Sequence, residues 1–274
     1  MKERNNRNLR VGLGGLGAVG MPIAKWLNKG VEGLELVAIS ANNVSKARKS
    51  VSSFLPPPEI VELDELAGLA DVIVECAPPE HFDKIAHSSL KLGRIFLPLS
   101  VTSLLGREDY FNLARKNGSR IIVPSGAMVG LDAVRAASYG SIKSVTMKTR
   151  KPPKSLKDAK FVKEKKINLN SLEKAKRLFK GSVREAAHLF PANVNITVAL
   201  AFAGIGPDLT KYEIWADPKV DRNCHKIIVD SNSTYFEISI SGIPTQRTPG
   251  TGKLTPLSVM STLEGLVAPF KVGN

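Results

Sequence analysis

Of the four histidines in the chain, His81, His87, His188 and His225, one stands in a segment suited to proton chemistry. The segment DPKVDRNCHKIIV, residues 217–229, runs from acids, an arginine and an asparagine into an apolar stretch that reads as a strand. An imidazole titrates near neutrality, so His225 at the mouth of that strand can take up or release a proton during a reaction at physiological pH. The competing reading is a loop histidine wetted by solvent. His188, inside EAAHLFP, reads as a packed helix residue, and His81 and His87 as solvated helix positions.

The second group with chemical meaning is a run of glycines. Two overlapping G-x-G-x-x-G patterns occur, Gly12/Gly14/Gly17 and Gly15/Gly17/Gly20. The second is preferred, because it places its first glycine after the apolar run LRVGL rather than inside it. Gly17 then admits a pyrophosphate against a helix starting near Ala18, with Val19 and Gly20 in its first turn, where unpaired N–H groups favour an anion. An acid that holds a ribose 2′-hydroxyl is expected about 20 residues further on. The chain there reads ISANNVSKARK, residues 39–49, with no Asp or Glu. Asn42 or Asn43 can hydrogen-bond the ribose, while Lys46, Arg48 and Lys49 either meet a 2′-phosphate or form the exposed face of a helix. Both NAD and NADP remain open as cofactors.

The elements that must position these groups alternate. LRVGL, LELVAIS, ADVIVECA, RIFLPLS and SRIIVPS read as strands, with helical stretches such as FDKIAHSSLKLG and REDYFNLARKNG between them. Strands alternating with helices predict a parallel, doubly wound sheet of the Rossmann type, an α/β fold. Ala77 and Pro78 end a central strand of that sheet, where backbone contact with a dinucleotide is expected. After Ser125 the alternation stops. The small residues Ser125, Gly126 and Ala127 read as a turn into a helix whose free N–H groups suit a carboxylate or the nicotinamide amide, with a tight packing turn as the alternative. SLEKAKRLFKGSVREAAHLFP reads as helical, and NVNITVALAFAGI as a buried helix that Asn193 and Asn195 either cap or open toward nicotinamide or substrate. YEIWADP, HKIIVDS and TYFEISISG read as strands of an open, mainly antiparallel sheet. Residues 1–124 are therefore expected to form a dinucleotide-binding domain completed by the C-terminal helix, 246–274. Residues 125–245 are expected to form an α/β substrate and dimerisation domain.

Composition narrows the classes. The chain of 274 residues is 43% hydrophobic and 23% charged, and no apolar run approaches a membrane span. MKERNNRNLR lacks an apolar signal core, so the expected location is cytoplasmic. Cys76 and Cys224 read as reduced thiols, and no spacing suggests a metal site. The net charge of +14 is local, with fourteen Lys or Arg against three acids between Lys143 and Lys180. That segment reads as solvated surface, and its lack of a nucleic-acid motif argues against a nucleic-acid partner.

VECAPPE (74–80), PSGAMVGLDAV (124–134), TRKPP (149–153), EAAHLFPANVNITVALAFAGIGPD (185–208), ADP with RNCH (216–225) and TPGTGKLTPLSVMSTLEGL (248–266) occur in one order that resembles the L-aspartate dehydrogenase family. The resemblance spans nearly the whole chain. It implies a Rossmann domain, a substrate domain with an open sheet, a homodimer, and NAD(P)-dependent interconversion of L-aspartate and iminosuccinate. It also implies a catalytic role for the histidine at the position of His225, projecting into a cleft between domains. One departure is TPGT, Thr248–Thr251, where the family usually has an Asn-Pro-Lys-Thr-like segment. The alternatives are a dehydrogenase or imine reductase for another small anionic amino or oxo acid, and a protein that senses NAD(P) without turnover.

Overall fold

The structure, a computed structural model, describes residues 7–191, 194–245 and 251–273. It divides into two compact units, Met1–Pro124 with Pro256–Val272, and Ser125–Thr255 with Gly273–Asn274.

The first unit alternates as β1 (Leu9–Gly14), α1 (Gly20–Asn28), β2 (Leu34–Ser40), α2 (Val44–Ser50), β3 (Glu59–Ile60), α3 (Leu66–Leu69), β4 (Val72–Glu75), α4 (Phe82–Lys91), β5 (Ile95–Pro98), α5 (Glu108–Asn117) and β6 (Arg120–Ile121). The strands are all parallel in the order β3-β2-β1-β4-β5-β6. Helices on both faces explain why the central strands read as unbroken apolar runs: Val72, Ile73 and Val74 are fully buried. The order reverses between β1 and β4, and at such a switch point the carboxyl ends of the strands leave a crevice. The two-residue β3 follows a run of prolines and is too short for periodicity to reveal. The stretch SRIIVPS contributes only two residues to the sheet, as β6.

The second unit contains α6 (Leu131–Ala137), β7 (Ile142–Lys151), α7 (Lys160–Glu164), β8 (Lys176–Ser182), α8 (Val183–Leu189), α9 (Asn195–Ala203), β9 (Lys211–Ala216), β10 (Asn223–Ser231) and β11 (Tyr235–Gly242). Its sheet runs β11-β10-β7-β9-β8. β7 and β9 are parallel, and the other neighbours are antiparallel. The sheet is therefore mixed, with antiparallel pairing predominating. Along β7 and β10 burial alternates residue by residue, so one face is dry and carries Val145, Met147, Ile227 and Val229.

Two helical expectations are corrected here. SLEKAKRLFKGS does not continue as a helix into VREAAHLFP, because Lys176–Ser182 pairs with β9 as an edge strand. Tertiary pairing overrides the helical preference of this Lys- and Arg-rich run. The helix starts only at Val183, where Ser182 and Glu185 form a reciprocal cap: Ser182 N donates to Glu185 Oε2 at 2.7 Å, and Glu185 N donates to Ser182 Oγ at 3.2 Å. The other correction concerns Asn195, which is the first residue inside α9. The capping position belongs to Val194, with no side-chain capping bond.

The last helix, α10 (Leu254–Glu264), buries Val259 and Leu263 in the cluster that contains Val11, Leu13 and Ile23. No helix among the described residues is long and apolar enough to cross a membrane.

Candidate active site

The glycine turn after β1 opens onto a cavity of about 270 Å³ lined by Gly15, Leu16, Gly17, Ser40, Ala41, Asn42, Asn43, Lys46, Ala47, Ser50, Leu63, Cys76, Ala77 and Pro78. Each glycine of the second set has its own reason. Gly15 has φ +126°, and a Cβ there would lie 2.5 Å from the Cys76 carbonyl oxygen. A Cβ on Gly20 would run into the Gly15 carbonyl, so this glycine lets α1 pack closely on the turn. A Cβ on Gly17 would meet nothing within 4 Å, and that open space faces the cavity. These are a tight turn, a close approach and a gap for a diphosphate, and the cavity therefore fits a dinucleotide. Gly12 and Gly14 lie within β1, as expected for the set that was not preferred. Ala18 and Val19 precede α1, which begins at Gly20 rather than near Ala18.

Among the described residues, no acid lines the wall of the cavity. Asn42 and Lys46 do, whereas Arg48 and Lys49 are exposed and not part of the lining. Cys76 donates its thiol to the Gly15 carbonyl at 3.2 Å, tying the turn to the end of β4, and burial pushes the thiol well above its ordinary range. Such a thiol is a structural strut rather than a nucleophile. Glu75, fully buried, accepts from Leu99 N at 3.0 Å, from Ser100 N at 2.8 Å and from Ser100 Oγ at 2.9 Å. Burial raises its pKa, while these donors oppose the rise. Its carboxylate thus fastens the ends of β4 and β5 beside Ala77 and Pro78. Sequence reading missed Cys76, Ser40 and Leu16 as parts of this wall, although VECAPPE held the first of them, together with the buried Glu75 behind it.

In the second unit His225 is not a loop residue. It is the third residue of β10, an interior strand, and is 5% exposed. It stands opposite Thr149 of β7 and Ile240 of β11, and its Nδ1 lies 3.0 Å from Thr149 Oγ1. Residues two apart share a face, so Asn223 and His225 of β10 lie on the same face as Thr149 and Lys151 of β7. All four are buried. Burial, together with the charge of Lys151, pushes His225 down to about 3. Its imidazole is neutral at pH 7. Burial also pushes Lys151 down to about 8. The sequence placed Lys151 in the solvated basic segment. Strand alternation instead turns it inward and its neighbour Arg150 outward, where Arg150 pairs with Asp217 at 2.9 Å and lies 5.3 Å from the Trp215 ring centroid.

Ser125, Gly126 and Ala127 are half-buried, in a turn closed by Met128 N donating to Ser125 O at 3.0 Å. Gly126 takes φ +65°. The turn does not run straight into a helix: α6 starts at Leu131, after Gly130 at φ +81°. Asn193 and Thr248–Gly250 of the TPGT departure lie outside the described residues. His188 is exposed on α8 rather than packed, His87 is exposed, and His81 is half-buried in a short helical turn.

A doubly wound sheet with a glycine-lined dinucleotide cavity, joined to a mixed-sheet unit with a buried neutral imidazole beside an amine, defines an NAD(P)-dependent oxidoreductase. A family model described as aspartate dehydrogenase, C-terminal, matches residues 132–266, and one described as the NAD binding domain of homoserine dehydrogenase matches residues 15–124. The sequence is 45% identical to an L-aspartate dehydrogenase of Bradyrhizobium diazoefficiens over 97% of this chain and 94% of that protein. It is 41% identical to L-aspartate dehydrogenase 3 of Bordetella bronchiseptica over 98% and 99%. The solved aspartate dehydrogenase of Thermotoga maritima superposes with a TM-score of 0.75 at 26% identity, covering 97% of this chain and all of that one. The chain belongs to the aspartate dehydrogenase family.

Proposed function

We propose that this chain interconverts L-aspartate and iminosuccinate, with hydrolysis of the imine to oxaloacetate and ammonia, and that His225 is the acid/base. The observation that carries the reading is a neutral, buried imidazole sharing a sheet face with a buried lysine. A bound nicotinamide supplies the acceptor or donor of a hydride at C2 of the amino acid. Lys151 offers charge-assisted hydrogen bonds to a substrate carboxylate, an interaction strengthened by the low dielectric around it. His225, uncharged at neutral pH, can take a proton from the substrate amine or from water adding to the imine. A dicarboxylate bound beside Lys151 offsets the positive charge that depresses His225, so the substrate itself makes the imidazole more basic.

In the first unit Gly15, Gly17 and Gly20, with the amides of Ala18 and Val19, would hold the diphosphate, Asn42 the ribose, and Ala77 and Pro78 the strand-end side of the cofactor. Ser125, Gly126, Ala127 and Asn193 are assigned to the nicotinamide or the substrate carboxylate because the N–H groups of a small-residue turn and the amide of an asparagine can meet either group. The family resemblance supports a homodimer. The face of the second sheet that carries Lys148, Arg150 and Glu237 is exposed and suits such a contact.

The decisive assay follows NAD(P)H absorbance with oxaloacetate plus ammonia beside a panel of other oxo acids. Turnover fastest with oxaloacetate supports the reading; a faster oxo acid would reassign the substrate, and cofactor binding without turnover on any would make the chain a sensor. His225→Ala should lower kcat by about 10² to 10⁴ at unchanged cofactor affinity, the range for a positioned proton-transfer group.

A further inference from the structure

We propose that Asp217 and Arg150 are positioning residues for the sheet face that carries Lys151 and His225: together they strap segment 217–222 over the end of β7 and so fix where the buried amine and imidazole stand. The proposal rests on the reading of Lys151 and His225 given above and supplies the groups that place them. β9 and β10 follow one another in the chain but are not neighbours in the sheet, because β7 lies between them. β9 is parallel to β7 and β10 antiparallel, so the carboxyl ends of β7 and β9 and the amino end of β10 lie at one end of the sheet. The connection, residues 217–222, therefore crosses the end of β7, where Lys151 is the last residue. It delivers Asn223 and His225 as the first and third residues of β10.

Asp217 ties this crossing down at three atoms. Its main-chain N–H donates to the Lys151 carbonyl at 2.9 Å. Its Oδ1 accepts the Lys219 N–H at 2.9 Å, closing a turn of the kind an aspartate forms with its own backbone two residues on. Its Oδ2 accepts from Arg150 Nη1 at 2.9 Å. The Asp217 side chain is only 6% exposed, against 49% for Arg150, so the carboxylate depends on these donors. Arg150 is itself held: its Cζ lies 5.3 Å from the Trp215 ring centroid and that of Arg177 5.5 Å from the same ring, and both are cross-strand partners of Trp215. Successive residues of a strand point to opposite faces, so Arg150 is on the outer side and Lys151 on the dry side. The tie thus acts on the site through the backbone that Arg150 and Lys151 share, without touching substrate.

The test is steady-state kinetics of the full-length protein with aspartate and NAD(P), beside cofactor titration and thermal unfolding, at a temperature where circular dichroism shows every variant folded. Asp217→Ala removes both side-chain ties. Its kcat/KM for aspartate should fall about 10- to 100-fold, the cost of misplacing reacting groups by about an ångström, with cofactor Kd unchanged. Asp217→Asn keeps an Oδ1 for the Lys219 N–H and loses the ion pair, and Arg150→Ala loses the same pair from the other side. Each should cost about fivefold, the upper end for a pair half open to solvent. The double variant should cost no more than either, whereas independent effects would multiply to about 25-fold. These variants carry the test if Asp217→Ala does not fold. A lower melting temperature with wild-type kcat/KM in Asp217→Ala, an equal loss of cofactor affinity, or multiplied losses in the double variant overturns the proposal. Lys151→Met and His225→Ala are measured alongside. If both keep wild-type kinetics, the reading of the site has failed and the proposal falls with it; if they are impaired and the Asp217 and Arg150 variants are not, the proposal alone is wrong.

Discussion

Asn43 Oδ1 accepts the main-chain N–H of Lys46 at 2.8 Å, so the residue that starts α2 also fixes the rim of the nucleotide cavity. The cap holds Lys46 in the lining where an acid would otherwise repel a 2′-phosphate. NADP should therefore be used with a kcat/KM within about a hundredfold of NAD, a gap of about 2.7 kcal/mol. Lys46→Ala should weaken use of NADP about fivefold, the effect of about 1 kcal/mol for an exposed charge pair, and leave NAD nearly untouched. Equal losses with both cofactors would show that this cation does not reach the phosphate.

Gly17 and Gly20 should fail in different ways. A Cβ on Gly17 meets only open space, so Gly17→Val should keep the melting temperature and lose cofactor affinity by titration. A Cβ on Gly20 collides with the Gly15 carbonyl. Gly20→Ala should lower Tm by roughly 2–10 °C, from about 1–3 kcal/mol of overpacking. Full dinucleotide affinity in Gly17→Val would remove the diphosphate from this turn.

Lys151→Met keeps the aliphatic stem and deletes the charge. If the amine holds a substrate carboxylate, KM for aspartate should rise about 10- to 100-fold, matching about 1.5–3 kcal/mol for a hydrogen bond to a charged group, with the cofactor KM steady. An unchanged aspartate KM would return Lys151 to a structural role.

Acid should unfold this protein partly through His225. Its folded pKa, about 3, lies below the ordinary unfolded value near 6.5, so the unfolded chain takes the proton first. The stability contributed by the neutral ring is complete above about pH 6.5 and is lost as pH falls toward about 3. Between pH 7 and pH 5 the wild type should lose about 2 kcal/mol more than His225→Gln in urea unfolding, at about 1.4 kcal/mol per unit. Parallel losses would mean that the ring is already solvated in the folded state.

The nucleotide half was legible because its signals are local. Glycines that permit a turn, the apolar run before them and the apolar periodicity after them all fall within about 20 residues, and the missing acid after β2 lies about 20 residues beyond the last of those glycines. The order of segments also pointed to the family and singled out His225. What the linear order could not give was burial and facing. Whether His225 is wet or dry depends on β7 and β11 flanking β10, and Thr149 lies 76 positions away in the chain. Lys151 belongs to a run of cations that reads as solvated surface, and only the pairing of β7 with β10 and β9 sends it inward while Arg150 goes out. Lys176–Ser182 is a strand because β9 offers an edge, against its own helical preference. Local chemistry set the turn, whereas long-range strand register set the charge state of the histidine and the company it keeps.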